Sequence, residues 1–169
     1  MQLYQLQAKQ YVKTDMATAW SFLSSPKNLQ KITPAEMGFQ ILAGAERDMF
    51  PGQIIHYTVS PFKGFTTKWV TEITHVEKGS YFVDEQRYGP YALWHHKHFI
   101  KEIPGGVEME DIVDYKVPAG FLGRLAHPYL VKPKLEEIFE YRKKALEEKF
   151  GVYKNPEQTA TTLKQDILA

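Results

Sequence analysis

No cysteine occurs among the 169 residues. That excludes disulfides, thiolate metal sites and a cysteine nucleophile together, and it fits a reducing compartment. No apolar run approaches the roughly 20 residues that a membrane-spanning helix needs. The first residues, MQLYQLQAKQYV, show no basic stretch followed by an apolar one, so no secretory signal is expected. The expectation is a cytoplasmic protein with no stable membrane insertion. An excess of one charge is also missing: 21 Lys+Arg stand against 20 Asp+Glu, for a net charge of +1. Such a balance leaves no electrostatic footprint for nucleic acid or an anionic bilayer. The chain lacks G-x-S-x-G, a P-loop, G-x-G-x-x-G after a strand and H-E-x-x-H. Internal repeats and low-complexity segments are absent as well.

What is present suits one domain with a sizeable core, since 43% of residues are hydrophobic and 14% aromatic. The stretch LYQLQAKQYV alternates as a strand does. In TDMATAWSFLSSP, Thr14 or Asp15 can cap a helix whose Met16, Ala19, Trp20 and Leu23 share one face. Ser25-Pro26 then opens a second short helix, closed by Thr33-Pro34. From Gly38 to Val117, six segments rich in β-branched and aromatic residues are divided by short turns: Pro51-Gly52, Pro61 to Gly64, Lys78-Gly79, Gly89-Pro90 and Gly105-Gly106. Short gaps imply an antiparallel meander. Pro128 and Pro133 should break the start of the last helical segment. Beyond them Leu135, Ile138, Phe139, Leu146 and Phe150 form an apolar stripe that contains Arg142, and Gly151 ends the helix. Residues 152–169 read as a polar tail, either mobile or carrying a short extra helix.

The predicted order is one strand, two short helices, six antiparallel strands and a long C-terminal helix. Seven strands of this length curl, and one helix cannot fill the concave side, so a space between sheet and helix is expected. This α+β order resembles the START-like, helix-grip fold of the SRPBCC superfamily, which includes the birch pollen allergen, lipid-transfer START domains and aromatic polyketide cyclases. The likeness is carried by AWSFLSSPKNLQKITP (Ala19 to Pro34), FVDEQRYGPYALWHHKHF (Phe82 to Phe99), MEDIVDYKVPAGFLGRLAH (Met109 to His127) and IFEYRKKAL behind them. The local sequence looks more specifically like small bacterial ligand-binding or cyclase/dehydrase-like members, and the likeness implies a domain over residues 1–151. The superfamily shares a cavity and not a reaction, so no catalytic set carries over.

Three of the chain's six histidines fall within LWHHKHFI, Leu93 to Ile100. A two-residue turn at Gly105-Gly106 would pair Ile100 with Asp111, His98 with Val113 and His96 with Tyr115. One face of the hairpin then carries Trp94, His96, His98, Ile100, Met109, Asp111, Val113, Tyr115 and Val117. The other carries His95, Lys97, Phe99, Lys101, Glu108, Glu110, Ile112, Asp114 and Lys116, most of them charged. The first set belongs inside and the second in water. His-x-His on a strand points both rings the same way, with Asp111, Asp84 or Glu85 as a third ligand. No third ligand stands at fixed spacing, so neither a metal nor another cofactor is expected. The alternatives are plain cavity lining, acid–base work and polar anchoring of a ligand.

The leading expectation is therefore a protein that binds a small hydrophobic or amphipathic molecule. Tyr57, Trp69, Trp94, Tyr115, Leu135, Ile138 and Phe139 would give apolar contact, and His96, His98, Asp111 and Arg142 would orient a polar end. The runner-up is a polyketide cyclase or dehydrase-type enzyme whose acid–base groups come from His96, His98 and Asp111. A third reading, a protein-interaction module, would show itself as an exposed apolar patch.

Overall fold

The computed structural model describes residues 2–62, 64–154 and 162–168. Strand β1 (Tyr4–Val12) leads into helix α1 (Met16–Leu23), two 3₁₀ turns (Pro26–Ile32 and Ala35–Met37) and a short strand β2 (Gln40–Ala43). The meander β3 (Gln53–Phe62), β4 (Phe65–Glu77), β5 (Tyr81–Tyr88), β6 (Leu93–Ile103) and β7 (Gly106–Lys116) follows. Helix α2 (Gly120–Ala126) passes through a π turn (His127–Val131) into the long helix α3 (Lys132–Phe150). Strand β8 (Thr162–Ile167) completes an antiparallel sheet in the order β2-β3-β4-β5-β6-β7-β1-β8. No helix among the described residues is long and apolar enough to cross a membrane.

The sheet has eight strands where seven are expected, and the additional one comes from the tail. β8 pairs with β1 from Tyr4↔Ile167 to Lys9↔Thr162. Without it, β1 would present a row of unpaired N–H and C=O groups to water. The segment suits the place: Leu163 and Gln165 are half-buried, while Lys164 and Asp166 are exposed. Thus 162–167 is a strand, not a helix; residues 155–161 lie outside the described residues.

The local signals explain the helices. Asp15 caps α1, its carboxylate accepting from the Thr18 N–H at 2.8 Å and the Thr18 hydroxyl at 2.7 Å. Helix α1 buries Ala19, Trp20 and Phe22, with Trp20 edge-on to Phe82 of β5 at 6.2 Å. The expected second helix is a 3₁₀ turn, and Ser25 makes no side-chain cap to it. The break foreseen at the prolines is the π turn, which contains Pro128; Pro133 sits in the first turn of α3, where its missing N–H is harmless. At the other end Gly151 adopts φ +91° and its N–H bonds Glu147 O at 2.8 Å. Helix α3 buries Leu135, Phe139, Arg142 and Leu146, and Leu146 joins Val12, Ile100, Val107 and Met109 in one core cluster.

The hairpin of β6 and β7 has the predicted faces but a different register. The turn is Pro104-Gly105, with Gly105 at φ +78°, as a type II turn with proline first and glycine second requires. The pairs are Ile103↔Gly106, His98↔Asp111, His96↔Val113 and Trp94↔Tyr115. Each partner is displaced by two residues from the Gly105-Gly106 expectation. A two-residue shift preserves which side chains face inward, whereas a one-residue slip would invert them. It also places Asp111 directly across from His98.

Leu146 is fully buried. Leu146→Ala should lower the unfolding free energy by about 2–5 kcal/mol, read from the urea midpoint at unchanged m-value.

Candidate ligand cavity and histidine–carboxylate cluster

A cavity of about 510 Å³ lies between the inner face of the sheet, the 3₁₀ turns and α3. Leu29, Ile32 and Met37 close it from the turns, Ile55, Tyr57, Val59, Trp69 and Ile73 from β3 and β4, and Leu135, Ile138 and Phe139 from α3. Its wall reaches Phe62 and Phe65, which are 44% and 56% exposed, so the cavity opens at the β3–β4 end. The aromatic wall is continuous: Tyr57 stacks on Trp69 at 5.9 Å, and Trp69 meets Trp94 edge-on at 5.4 Å. Polar atoms in this wall are few. The Tyr57 hydroxyl lies 3.1 Å from Thr71 Oγ1. Two buried N–H donors, Trp69 Nε1 and Arg142 Nε, have no hydrogen-bond partner among the described residues.

At one side of the cavity, three strands (β5, β6 and β7) and α3 bring together Asp84, His96, His98, Asp111 and Arg142. His98 bridges the two carboxylates, with Nε2 at 2.9 Å from Asp84 Oδ2 and Nδ1 at 2.7 Å from Asp111 Oδ1. His96 does the same with its nitrogens exchanged: Nε2 is 3.2 Å from Asp111 Oδ1 and Nδ1 is 3.5 Å from Asp84 Oδ2. Arg142 Nη2 is 3.2 Å from Asp111 Oδ1. The two imidazoles lie 3.7 Å apart between centroids, and His98 stacks on Phe82 at 4.1 Å.

The charge states follow from this geometry. Burial opposes charge on Asp111, but Arg142 and the two histidines outweigh it and hold its carboxyl well below the usual range. Asp84, also opposed by burial, is lowered by its bond to His98 and by the charges of His96, His98 and Arg142. For His98, burial is overcome by hydrogen bonds to Asp111 and Asp84, so its pKa rises. Burial and the charge of His98 push His96 down to about 4. Two imidazoliums at this separation would repel, so one ring takes the proton and the other stays neutral. Two carboxylates are then balanced by one guanidinium and one imidazolium.

Nine of the eleven residues expected to contact a ligand line the cavity: Tyr57, Trp69, Trp94, His96, His98, Leu135, Ile138, Phe139 and Arg142. Asp111 and Tyr115 do not. Asp111 sits behind the histidines, where a smaller pocket on the β1 side reaches it. Tyr115 is fully buried, and its hydroxyl is hydrogen-bonded to His127 Nε2 at 2.7 Å. Inward orientation on a strand does not ensure access, because core side chains can cover a residue. Of the three options as third ligand, Asp84 and Asp111 each reach both histidines, and Asp84 is the one that lines the cavity; Glu85 turns outward to His95 at 3.1 Å. Arg142 is buried and does not snorkel. The wall supplied by Leu29, Ile32, Met37 and Phe39 was not legible, because 3₁₀ turns lack a periodic apolar face. His127 was missed because its partner, Tyr115, is set by tertiary packing. Separately, α2 and the π turn expose Phe121, Leu122, Leu125, Tyr129 and Leu130, an apolar group outside the cavity.

Replacing Asp111 with asparagine would leave Arg142 and a protonated His98 facing a neutral amide in a dry site. Asp111→Asn should cost about 3–5 kcal/mol in chemical unfolding at neutral pH, far more than Asp166→Asn on the exposed face of β8.

No family model and no curated protein matches the chain. Solved structures do match. The Zhui aromatase/cyclase from a Streptomyces species superimposes with a TM-score of 0.69 at 12% identity, over 87% of this chain and 93% of that one. A START superfamily protein from Mycobacterium smegmatis gives 0.64 at 17% identity, over 87% and 97%. A major latex-like protein from Panax ginseng gives 0.64 at 12% identity, over 88% and 97%. Matches of this extent cover most of the sheet and the long helix, and the chain has a START-like, helix-grip fold.

Proposed function

We propose that the chain binds one small, mostly apolar molecule that ends in a hydrogen-bond acceptor, inside the cavity between sheet and α3. The volume of about 510 Å³ falls within the ~300–1,000 Å³ typical of ligand sites. The observation that carries this reading is the pair of buried, unpartnered donors, Trp69 Nε1 and Arg142 Nε, in a mostly apolar wall whose charged groups, Asp84, His96 and His98, are gathered on one side. A buried donor left unmade costs about 1–3 kcal/mol, and a guest with an acceptor removes that cost. The apolar body of the guest would pack against Tyr57, Trp94, Leu135, Ile138 and Phe139.

Binding accounts for the cluster better than acid–base turnover does. His96, at about 4, is a weak base near neutrality, and the His98 proton is held between two carboxylates. A general base works best with a pKa close to the working pH. The cluster then serves as a charged, fixed end wall for the polar part of the guest.

A fluorescent amphipathic anion, anilinonaphthalene sulfonate, is a suitable probe. Ile138→Trp should fill the cavity, and Trp69→Phe should remove one donor with little change of shape. Each should weaken probe binding about tenfold or more, equivalent to ~1.4 kcal/mol, with unchanged far-ultraviolet circular dichroism. Wild-type affinity in the Ile138→Trp protein would place the probe elsewhere and sink the reading. Native mass spectrometry of protein from its own host would identify the guest.

A further inference from the structure

The arrangement of the two histidines carries more than a polar wall requires. His96 Nδ1 and His98 Nε2 both face Asp84 Oδ2, at 3.5 Å and 2.9 Å. The opposite nitrogens, His96 Nε2 and His98 Nδ1, both face the same oxygen of Asp111, at 3.2 Å and 2.7 Å. Asp111 is ionised and accepts, so each ring can donate an N–H to it and present a lone pair on the Asp84 side. Two lone pairs and a carboxylate oxygen then share one side of the cluster. One ligand atom from each of Asp84, His96 and His98 falls within a span of 4.8 Å. An ion with bonds of ~2.0–2.2 Å places tetrahedral neighbours ~3.3 Å apart, close to the two distances on the Asp84 side.

We propose that Asp84, His96 and His98 form a three-ligand site for a divalent transition-metal ion, with Asp111 as the carboxylate that orients both histidines from behind. Metal-bound histidines are commonly held by a carboxylate at the second nitrogen, which fixes tautomer and ring direction. Here one oxygen does this for both rings and is itself held by Arg142 Nη2 at 3.2 Å. Asp84, His96 and His98 line the cavity, while Asp111 does not. The fourth coordination position is therefore on the cavity side, where water or an oxygen of a guest would complete the shell. Three protein ligands plus one exchangeable position is the composition of a reactive zinc site, as opposed to a closed structural one. The donor set, two imidazoles and one carboxylate, suits Zn²⁺, Co²⁺ or Fe²⁺ and disfavours Ca²⁺ or Mg²⁺, which prefer oxygen alone.

The site is tested with metal alone, so its failure leaves the cavity reading untouched. Full-length protein stripped with chelator is titrated with Zn²⁺ in a calorimeter. The expected result is one ion per chain, with His75→Gln, an exposed histidine on β4, binding as the wild type does. Asp84→Asn and His98→Gln should weaken binding by at least ~100-fold, and Asp111→Asn by about 10–100-fold, as second-nitrogen partners do. Loading wild type with Co²⁺ should give the intense visible absorption of a four-coordinate ion. Nitrogen-15 spectra of the wild type should show His96 and His98 shifting on Zn²⁺ addition and His75 staying in place, a readout that needs no variant to fold. Uptake below a tenth of an equivalent by folded wild type would overturn the site. So would wild-type affinity in Asp84→Asn, or ring shifts confined to histidines other than His96 and His98.

Discussion

Asp111 is a carboxylate with almost no water around it, and the polar half of the interior is organised by the need to satisfy its charge. One of its oxygens meets donors from β6 and from α3: His96, His98 and Arg142 all approach Oδ1 within 3.2 Å. A long helix over a sheet is held mostly by apolar contact, which is non-directional. The Arg142–Asp111 pair adds a direction and sets which turn of α3 stands over which pair of strands. Asp84 closes the cluster from β5 and Phe82 packs on the His98 ring. Through Phe82 and Trp20 the cluster is tied to α1 as well. Sheet, plug helix and long helix therefore converge on one compensated set of charges.

That same set forms one end of an otherwise apolar cavity. Polar and apolar parts are segregated: the aromatic wall of Tyr57, Trp69 and Trp94 lies on the strands toward the opening, and the charges lie on β5, β6 and α3. A guest that is apolar over most of its length and polar at one end matches this polarity. The three-ligand arrangement of Asp84, His96 and His98 would give that end a metal-bound position, with Asp111 orienting both rings from behind.

Much of the fold was legible because two periods dominate the chain. The two-residue period in YALWHHKHFIKEI and VEMEDIVDYKV separated nine inward residues from a charged outer face. That separation survived an error of two residues in the turn, since parity was unaffected. The period of α3 put Arg142 within an apolar stripe, but whether it would snorkel or stay buried depended on an acid across the interface. Tyr115 and Asp111 show the limit: both point inward, yet Tyr91 and Trp94, which line the cavity, pack on the Tyr115 ring, and Asp111 lies behind the two histidines. Strand β8 was missed because TLKQDI alternates too weakly to stand out, and its reason for being extended is the free edge of β1, more than 150 residues away in the chain.

By itself the sequence determined the element order from β1 to α3, the inward faces of the strands and helix, and the absence of thiol groups, of a long apolar helix and of an excess of one charge. These follow from local periodicity and composition, which act over a few residues. The tertiary structure decided which acids reach the histidines, which ring nitrogen faces which carboxylate, and which ring is protonated. Those outcomes depend on separations of 2.7 to 3.5 Å between atoms on different elements and on the exclusion of water around them. Neither exists until β5, β6, β7 and α3 are packed together.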